Sequence, residues 1–288
     1  MIKKVLLAII SYIFLVQFSV AAPIRIVAAE NFYAELAREI GGSQVVVQSI
    51  INNPNSDPHL FATSPATSRS LANAQIIIYN GMNYDSWMNQ LLNSLNRKPL
   101  IIINVADLIG SQPGVNPHIW YQPTTFPTLA KAIAAKLISL RPDAKAEVSK
   151  NLDQFLAANK LVLAKINAIK GRYANTPVTA TEPVFGYMAE AMGLDMKGLD
   201  FQWKIMNDTE PSPKMLAEYQ ALLTKRQVKV LFYNNQVADL IAKNILELAR
   251  INQINIVGVT ETMPNNTSIN DWLLNEINLT HNALKASH

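Results

Sequence analysis

A long uninterrupted helical pattern in the middle of the chain is the feature that most constrains its fold. From Pro142 to about Lys170, apolar residues recur three or four positions apart, and no Gly or Pro interrupts the segment. The pattern predicts one amphipathic helix that ends at Gly171 and is roughly 40 Å long. Two shorter helices with a break between them are the alternative. A single helix of this length would act as a rigid connector between the segments on either side.

Both halves of the chain alternate short β-branched runs with amphipathic stretches. This alternation predicts parallel strands joined by helical crossovers. Strands are predicted at 24–28, 45–51, 76–79, 100–104, 178–180, 228–233 and 254–259. Helices are predicted at 32–40, 65–72, 86–95, 127–140, 187–192, 213–224, 237–249 and 269–284. The predicted fold class is therefore α/β, with two doubly wound parallel-sheet lobes joined by one long rigid helix.

The first 21 residues have the pattern of a secretory signal peptide. Lys3 and Lys4 precede an apolar run at 5–16, and small residues follow at 19–21. A transmembrane anchor is the alternative, but the run is short for the roughly 20 residues that a membrane span needs. We expect cleavage after Ala21 and a soluble periplasmic protein. The predicted divisions are the signal peptide (1–21), the N-terminal α/β lobe (22–141), the connecting helix (142–171) and the C-terminal α/β lobe (172–288).

Composition excludes several classes of function. The chain has no cysteine, so it has no lipid-attachment cysteine, no thiolate chemistry and no cysteine-ligated zinc. Secretion without disulfides is compatible with a bacterial periplasm. Loss of the signal peptide would lower the formal net charge from +4 to about +2. No basic stripe with interleaved aromatic residues is present, and we therefore expect no nucleic-acid partner.

Two Pro-His pairs supply candidate metal ligands. The chain has four histidines, of which His281 and His288 lie near its C-terminus. His59 and His118 each follow a proline, whose fixed φ of about −65° stiffens the loop that presents the imidazole. A single loop histidine could equally cap local backbone. Two such histidines, both placed after predicted strands, favour a metal site.

Two carboxylates in the second half complete the candidate set. Ligands of open α/β sheets bind beyond the carboxyl ends of the strands, where Glu182 and Glu261 directly follow predicted strands. His59 and His118 occupy the same kind of position in the first half, so the site forms only if the halves face each other. Two neutral imidazoles and two carboxylates neutralise a divalent cation and suit manganese, iron or zinc. Four protein ligands leave little room for a reactive water, which predicts a closed carrying site.

The carboxylates have alternative roles. Glu182 could instead interact with the N-terminus of the helix that follows it. Glu261 has the same alternative, and Asp271 or Glu276 could take its place as a ligand.

The Pro-His segments resemble a known family. The run 116–123, with the sequence Asn-Pro-His-Ile-Trp-Tyr-Gln-Pro, is similar to the Asp-Pro-His-x-Trp-x-x-Pro loop of periplasmic solute-binding proteins of zinc/manganese ABC importers. Asp57-Pro58-His59 is a second specific match, and 80–87, 185–188 and 192–194 are weaker ones. The resemblance covers essentially the whole mature chain. It implies two lobes joined by a long helix, with a metal held between them and delivered to a membrane permease driven by a cytoplasmic ATPase.

The resemblance also implies a ligand order. His59 and His118 match the family's first two ligand positions. Glu182 matches the third, which is His in many zinc importers and Glu in many manganese binders. Glu261 matches the fourth, which is usually Asp. The chain also lacks the His-rich insertion that zinc-specific members often carry. Glu182 and the missing insertion favour manganese or iron, although zinc also binds tightly to such sites.

The sequence thus predicts a monomeric periplasmic carrier, not an enzyme, whose cargo is one divalent metal ion: manganese or zinc, with iron possible. A secreted metallohydrolase is an alternative, although the chain has no His-Glu-x-x-His segment and no Gly-x-Ser-x-Gly elbow. A binder of a metal chelate or an organic solute, or a surface adhesin, is another.

Overall fold

The structure is a computed structural model that describes residues 22–53, 61–95, 101–112, 114–236 and 239–286. The predicted signal peptide and the Asp57-Pro58-His59 segment lie outside these ranges. Within them, the chain forms two parallel sheets of four strands each. Strand order is β2-β1-β3-β4 in the first sheet and β6-β5-β7-β8 in the second. The predicted fold class is confirmed.

The strands and helices alternate along the chain. The strands are β1 (Ile24–Glu30), β2 (Val45–Ile51), β3 (Ile76–Tyr79), β4 (Ile101–Asn104), β5 (Pro177–Ala180), β6 (Asp195–Lys197), β7 (Val230–Asn234) and β8 (Asn255–Val259). The helices of the first half are α1 (Asn31–Gly41), α2 (Pro65–Asn73), α3 (Ser86–Ser94), α4 (Val105–Ile109) and α5 (Thr125–Leu140). The long helix α6 (Lys145–Tyr173) follows, and then α7 (Gly186–Ala191), α8 (Leu199–Met206), α9 (Pro213–Thr224), α10 (Leu240–Ile251) and α11 (Ile269–Lys285). We call β1 to α5 the N-terminal lobe and β5 to α11 the C-terminal lobe.

The long helix is continuous, and it passes through the residue at which it was predicted to end. Gly171 lies inside α6, and a Cβ there would meet no atom within 4 Å, so this glycine neither packs nor turns the chain. The chain turns at Asn175 instead, whose φ of 62° lies in the left-handed region that asparagine tolerates. Its N–H donates to the carbonyl of Gly193 at 2.7 Å.

Three short elements were not predicted: β6, α4 and α8. Each is eight residues or shorter, which is too short for a periodic pattern to distinguish helix from strand. The sequence of β6 is Asp-Met-Lys, and among the described strands it pairs with β5 alone, at the edge of the sheet. An edge strand of this kind is defined by its neighbour rather than by its own side chains.

Helix α6 packs against both lobes and does not merely connect them. It contacts α1 and α5 of the N-terminal lobe and α11 of the C-terminal lobe. Its buried stripe includes Val148, Phe155, Val162, Ile166 and Ile169. None of the helices in the described part of the chain combines the length and the hydropathy that a membrane span requires.

A cluster of aromatic side chains packs across the interface between the two lobes. We call Phe32, Trp120, Tyr121, Phe185 and Trp272 the interlobe aromatic cluster; all five side chains are buried. Phe32 lies 5.8 Å from Trp272 between ring centroids, and Tyr121 lies 5.5 Å from Trp272 and 5.0 Å from Phe185. These contacts place residues of both lobes in one continuous hydrophobic core. Rotating one lobe against the other would therefore expose large apolar surfaces.

We expect Trp272→Ala to lower the free energy of unfolding by about 3–5 kcal/mol, because it leaves a cavity between the two lobes. Urea unfolding followed by circular dichroism would measure the loss. Leu161→Ala is the matched control: Leu161 lies on α6 but is 63% exposed, so its truncation should change stability by less than about 0.5 kcal/mol. Equal effects of the two substitutions would show that the cluster does not hold the lobes together.

Candidate metal site

The two sheets present their carboxyl ends to the same region between the lobes. Each sheet reverses its strand order at one point, between β1 and β3 in the first and between β5 and β7 in the second. Crevices at such switch points are where open α/β sheets bind ligands. Asn80 follows β3, Glu182 lies two residues after β5, and Asn234 is the last residue of β7.

Three of the four predicted ligands come together in this region. His118, Glu182 and Glu261 are 0%, 6% and 0% exposed. His118 Nε2 lies 3.6 Å from Glu261 Oε2. The amide of Asn234 donates to Glu182 Oε2 at 2.7 Å and to Glu261 Oε1 at 2.6 Å, so it bridges the two carboxylates. The fourth predicted ligand, His59, lies outside the described residues.

The three candidate ligand side chains lie in the same region, but they do not surround a single point. Within the described ranges, no group of three or more His, Asp or Glu side chains has the spacing of a metal site. The bridging amide of Asn234 stands between two of the candidates.

The imidazole of His118 is held by an amide that sets its tautomer. Asn116 Nδ2 donates to the carbonyl of Pro183 at 2.6 Å, so its Oδ1 faces His118. That oxygen accepts the backbone N–H of His118 at 3.1 Å and lies 2.6 Å from Nδ1. In the neutral imidazole, Nδ1 therefore carries the proton and Nε2 carries the lone pair. Nε2 is the atom that faces Glu261, which is the arrangement a metal-ligating histidine needs.

A tyrosine of the N-terminal lobe reaches the carboxylate of Glu261. Tyr84 Oη donates to Glu261 Oε2 at 3.0 Å, and its ring lies edge-on to His118 with centroids 5.9 Å apart. Burial raises the pKa of Tyr84 well above its usual value, and the nearby Glu261 raises it further. Tyr84 therefore stays protonated at neutral pH and acts as a donor.

Hydrogen bonds across the lobe interface fix the loop that carries Glu261. Tyr121 Oη donates to the carbonyl of Thr260 at 2.7 Å. Asn31 binds the backbone of Met263 twice, donating to its carbonyl at 2.7 Å and accepting its N–H at 3.0 Å. Within the C-terminal lobe, Gln236 Oε1 also accepts the N–H groups of Glu261 and Thr262. The N-terminal lobe thus helps to position the loop of Glu261, a candidate ligand of the C-terminal lobe.

The turn at Asn80 and Gly81 supports the loop that carries His118. Asn80 Nδ2 donates to the carbonyl of Pro117 at 2.9 Å, and the Asp85 carboxylate accepts the N–H groups of Asn80 and Gly81. Gly81 has φ +83°, and a Cβ there would lie 2.2 Å from Asn104 Oδ1, so glycine is required on both counts. This turn begins the segment 80–87, one of the weaker family matches in the sequence.

The alternative roles of the carboxylates receive little support from the contacts. Glu182 precedes a short 3₁₀ turn but makes no capping hydrogen bond to it. Asp271 lies on the surface in the first turn of α11, where it accepts from Ser268. Glu276 is buried, but its Oε1 accepts from Trp272 Nε1 at 3.0 Å and from the Thr260 N–H at 3.3 Å. Glu276 therefore supports the loop that carries Glu261.

The residues that hydrogen-bond the candidate ligands and their loops are not among the sequence predictions, although two of them occupy positions that the strand-end rule selects. Asn234 and Asn31 lie at the carboxyl ends of β7 and β1, where the same rule that selected the carboxylates applies. Tyr84 and Gln236 carry no signal of their own, since their partners come from the opposite lobe or from another loop.

Comparison with known proteins identifies the family. Residues 26–278 match the family model described as "Zinc-uptake complex component A periplasmic". The chain belongs to this family. It is 25% identical over 237 residues to the metal ABC transporter substrate-binding lipoprotein SsaB of Streptococcus sanguinis, covering 76% of this chain and 74% of that protein.

Two further similar proteins extend the comparison. The manganese ABC transporter substrate-binding lipoprotein scaA of Streptococcus gordonii is 24% identical over 239 residues, covering 77% of this chain and 75% of the relative. Among solved structures, the periplasmic zinc-binding protein TroA of Treponema pallidum superposes with a TM-score of 0.78 and 17% identity, covering 92% of this chain and all of the other. The latter likeness shows the shared fold.

We expect Glu276→Gln to make the protein's stability less sensitive to pH. Burial raises the pKa of Glu276 from 4.5 to about 8. Between these values the folded protein keeps a proton that the unfolded chain has released, so this carboxyl lowers the free energy of unfolding as the pH rises. The neutral amide of glutamine removes that dependence.

Denaturant unfolding at pH 5, 6.5 and 8 would measure the effect. The stability of Glu276→Gln relative to the unsubstituted protein should increase with pH across this range. Glu218→Gln is the control, because Glu218 lies exposed on α9. Parallel stability curves for Glu276→Gln and the unsubstituted protein would contradict the assignment of a raised pKa.

Proposed function

We propose that the protein is a periplasmic solute-binding protein that captures one divalent transition-metal ion between its lobes and delivers it to an ABC importer. The observation that carries the proposal is that His118 of one lobe lies 3.6 Å from Glu261 of the other, and that the Asn234 amide joins Glu261 to Glu182. Nε2 of His118, the atom with the lone pair, faces a carboxylate oxygen. Membership of a zinc-uptake family supports this interpretation.

The proposed ligands are His59, His118, Glu182 and Glu261. His59 enters through the Asp-Pro-His match and through its predicted position after a strand of the first sheet. The cargo is manganese or zinc, with iron possible, because two imidazoles and two carboxylates suit all three. The relatives include proteins named for manganese and for zinc.

The remaining proposals concern the protein's surroundings. The signal peptide is cleaved after Ala21, and the mature chain acts as a monomer in the periplasm. We assign residues 22–141 to the N-terminal lobe, 142–171 to the connecting segment, whose helix α6 continues to Tyr173, and 172–288 to the C-terminal lobe. The partner is a membrane permease with a cytoplasmic ATPase. Because the lobes share one hydrophobic core, we expect only small lobe movements when the metal binds.

A carrier of a bare ion fits the burial of the site better than the alternatives do. A binder of a metal chelate or an organic solute needs a cleft that reaches its ligands, whereas His118 and Glu261 are fully buried. A metallohydrolase needs an open coordination position and access for its substrate. The family is one of uptake components, which also favours a carrier.

We expect His118→Ala to reduce the affinity for Mn²⁺ and Zn²⁺ by more than the 10- to 100-fold that loss of an outer-shell partner typically costs. Competition with a chromophoric chelator at pH 7 would measure it. His281→Ala is the matched control, because His281 lies on α11 against Tyr173, away from the lobe interface. Unchanged affinity in His118→Ala would end the proposal.

Metal should also stabilise the folded protein. A ligand that binds only the folded state adds about 2.7 kcal/mol at 100 times its Kd. We therefore expect Mn²⁺ or Zn²⁺ to raise the melting temperature of the unsubstituted protein and EDTA to reverse the rise. His118→Ala should show a much smaller rise. A melting temperature that neither cation changes would contradict the proposal that the protein carries Mn²⁺ or Zn²⁺.

A further inference from the structure

Asn116 binds groups of both lobes with the two ends of one side-chain amide. Its Oδ1 accepts the backbone N–H of His118 at 3.1 Å and lies 2.6 Å from the ring Nδ1. Its Nδ2 donates to the carbonyl of Pro183 in the C-terminal lobe at 2.6 Å. Pro183 directly follows Glu182 in the chain. One amide therefore connects two candidate ligands that belong to opposite lobes.

A second hydrogen bond joins the same two segments. Tyr187, at the start of α7 in the C-terminal lobe, donates from Oη to the main-chain carbonyl of Asn116 at 2.9 Å. Gly186 comes so close to Asn116 that a Cβ on it would lie 3.0 Å from Nδ2. The segments 116–118 and 183–187 are thus held together through both the side chain and the main chain of Asn116. We call these two hydrogen bonds, to Pro183 and from Tyr187, the Asn116 latch.

The donor end of this amide distinguishes the chain from the loop that it resembles. The Asp-Pro-His-x-Trp-x-x-Pro loop has Asp where this chain has Asn116. An aspartate carboxylate can accept from the imidazole of His118, but it has no hydrogen to donate. It would also place a negative oxygen against the carbonyl oxygen of Pro183. The bond from residue 116 to the opposite lobe therefore requires the amide.

We propose that Asn116 is a positioning residue that makes the orientation of His118 depend on the docking of the Glu182 segment. This inference rests on the proposed function, in which His118 and Glu182 bind the metal. While the latch is closed, a single amide holds the imidazole and the backbone next to the carboxylate. Separation of the two segments breaks the bond to Pro183 and removes one of the contacts that fix the amide. Both candidate ligands are then released together, so the latch slows dissociation of the metal.

The test is the rate at which bound metal leaves the folded protein. Asn116→Asp keeps the shape of the side chain and the acceptor for His118 but removes the donor to Pro183. We expect dissociation of Mn²⁺ or Zn²⁺ to become at least tenfold faster, within the range for loss of an outer-shell partner. Added negative charge by itself would hold a cation more tightly, so a faster rate identifies loss of the latch. Stopped-flow mixing of the metal-loaded protein with excess EDTA would measure it.

Tyr187→Phe tests the latch from the opposite lobe, and it carries the test if Asn116→Asp folds poorly. It removes only the hydroxyl that donates to Asn116, and dissociation should become about fivefold faster, as expected for loss of one hydrogen bond. Asn252→Asp is the matched control. Asn252 Nδ2 also donates to a main-chain carbonyl, that of Leu248 at 2.8 Å, but it lies just after α10, before β8 begins. This control should leave the rate unchanged.

The contrary outcomes separate this inference from the proposed function. If urea unfolding shows that Asn116→Asp and Tyr187→Phe are less stable but both release metal at the unsubstituted rate, Asn116 is merely structural and the inference is wrong. A slower rate in Asn116→Asp also overturns it, as does a rate that rises equally in Asn252→Asp. If the unsubstituted protein binds neither metal, the proposed function fails instead.

Discussion

Packing of aromatic side chains across the lobe interface is the interaction on which the candidate site depends. Phe32 and Tyr121 of the N-terminal lobe pack against Trp272 of the C-terminal lobe, and Tyr121 also contacts Phe185. The same segments carry the polar groups that reach the ligand loops: Asn31 precedes Phe32, and the hydroxyl of Tyr121 bonds the carbonyl of Thr260. Packing of the buried rings therefore fixes the positions of the groups that form these hydrogen bonds. His118 and Glu261 meet because their loops are held by this one core.

Neutral hydrogen-bond donors surround the two buried carboxylates of the candidate site. Two buried carboxylates would repel each other, and burying them is costly unless they are hydrogen-bonded. Asn234 gives one hydrogen to each, and Tyr84 donates to Glu261 from the opposite lobe. These donors therefore satisfy oxygens of the two carboxylates from both lobes.

Long local patterns predict their elements correctly. The periodicity of α6 and the β-branched runs of β1, β3 and β7 are strong local signals. Glu182 and Glu261 each lie two residues after a strand, which is the position that predicts them as ligands. The end of α6, by contrast, was misplaced because a glycine on an exposed helix face costs only about 1 kcal/mol and need not end a helix. The short elements β6, α4 and α8 depend on their neighbours more than on their own residues.

The sequence by itself determined the α/β class and the long helix, because these depend on periodicity, and it predicted the histidines and carboxylates of the candidate site from their positions after strands. Only the tertiary structure decided which groups surround them. The Asn116 amide that sets the His118 tautomer, the Tyr84 hydroxyl on Glu261 and the Asn234 bridge between carboxylates act on partners far away in sequence or fixed by loop geometry. The Tyr84 bond arises from the docking of the two lobes, and the Asn234 bridge arises because the ends of β5, β7 and β8 converge. Neither arrangement leaves a local pattern in the sequence, because each depends on how distant segments pack.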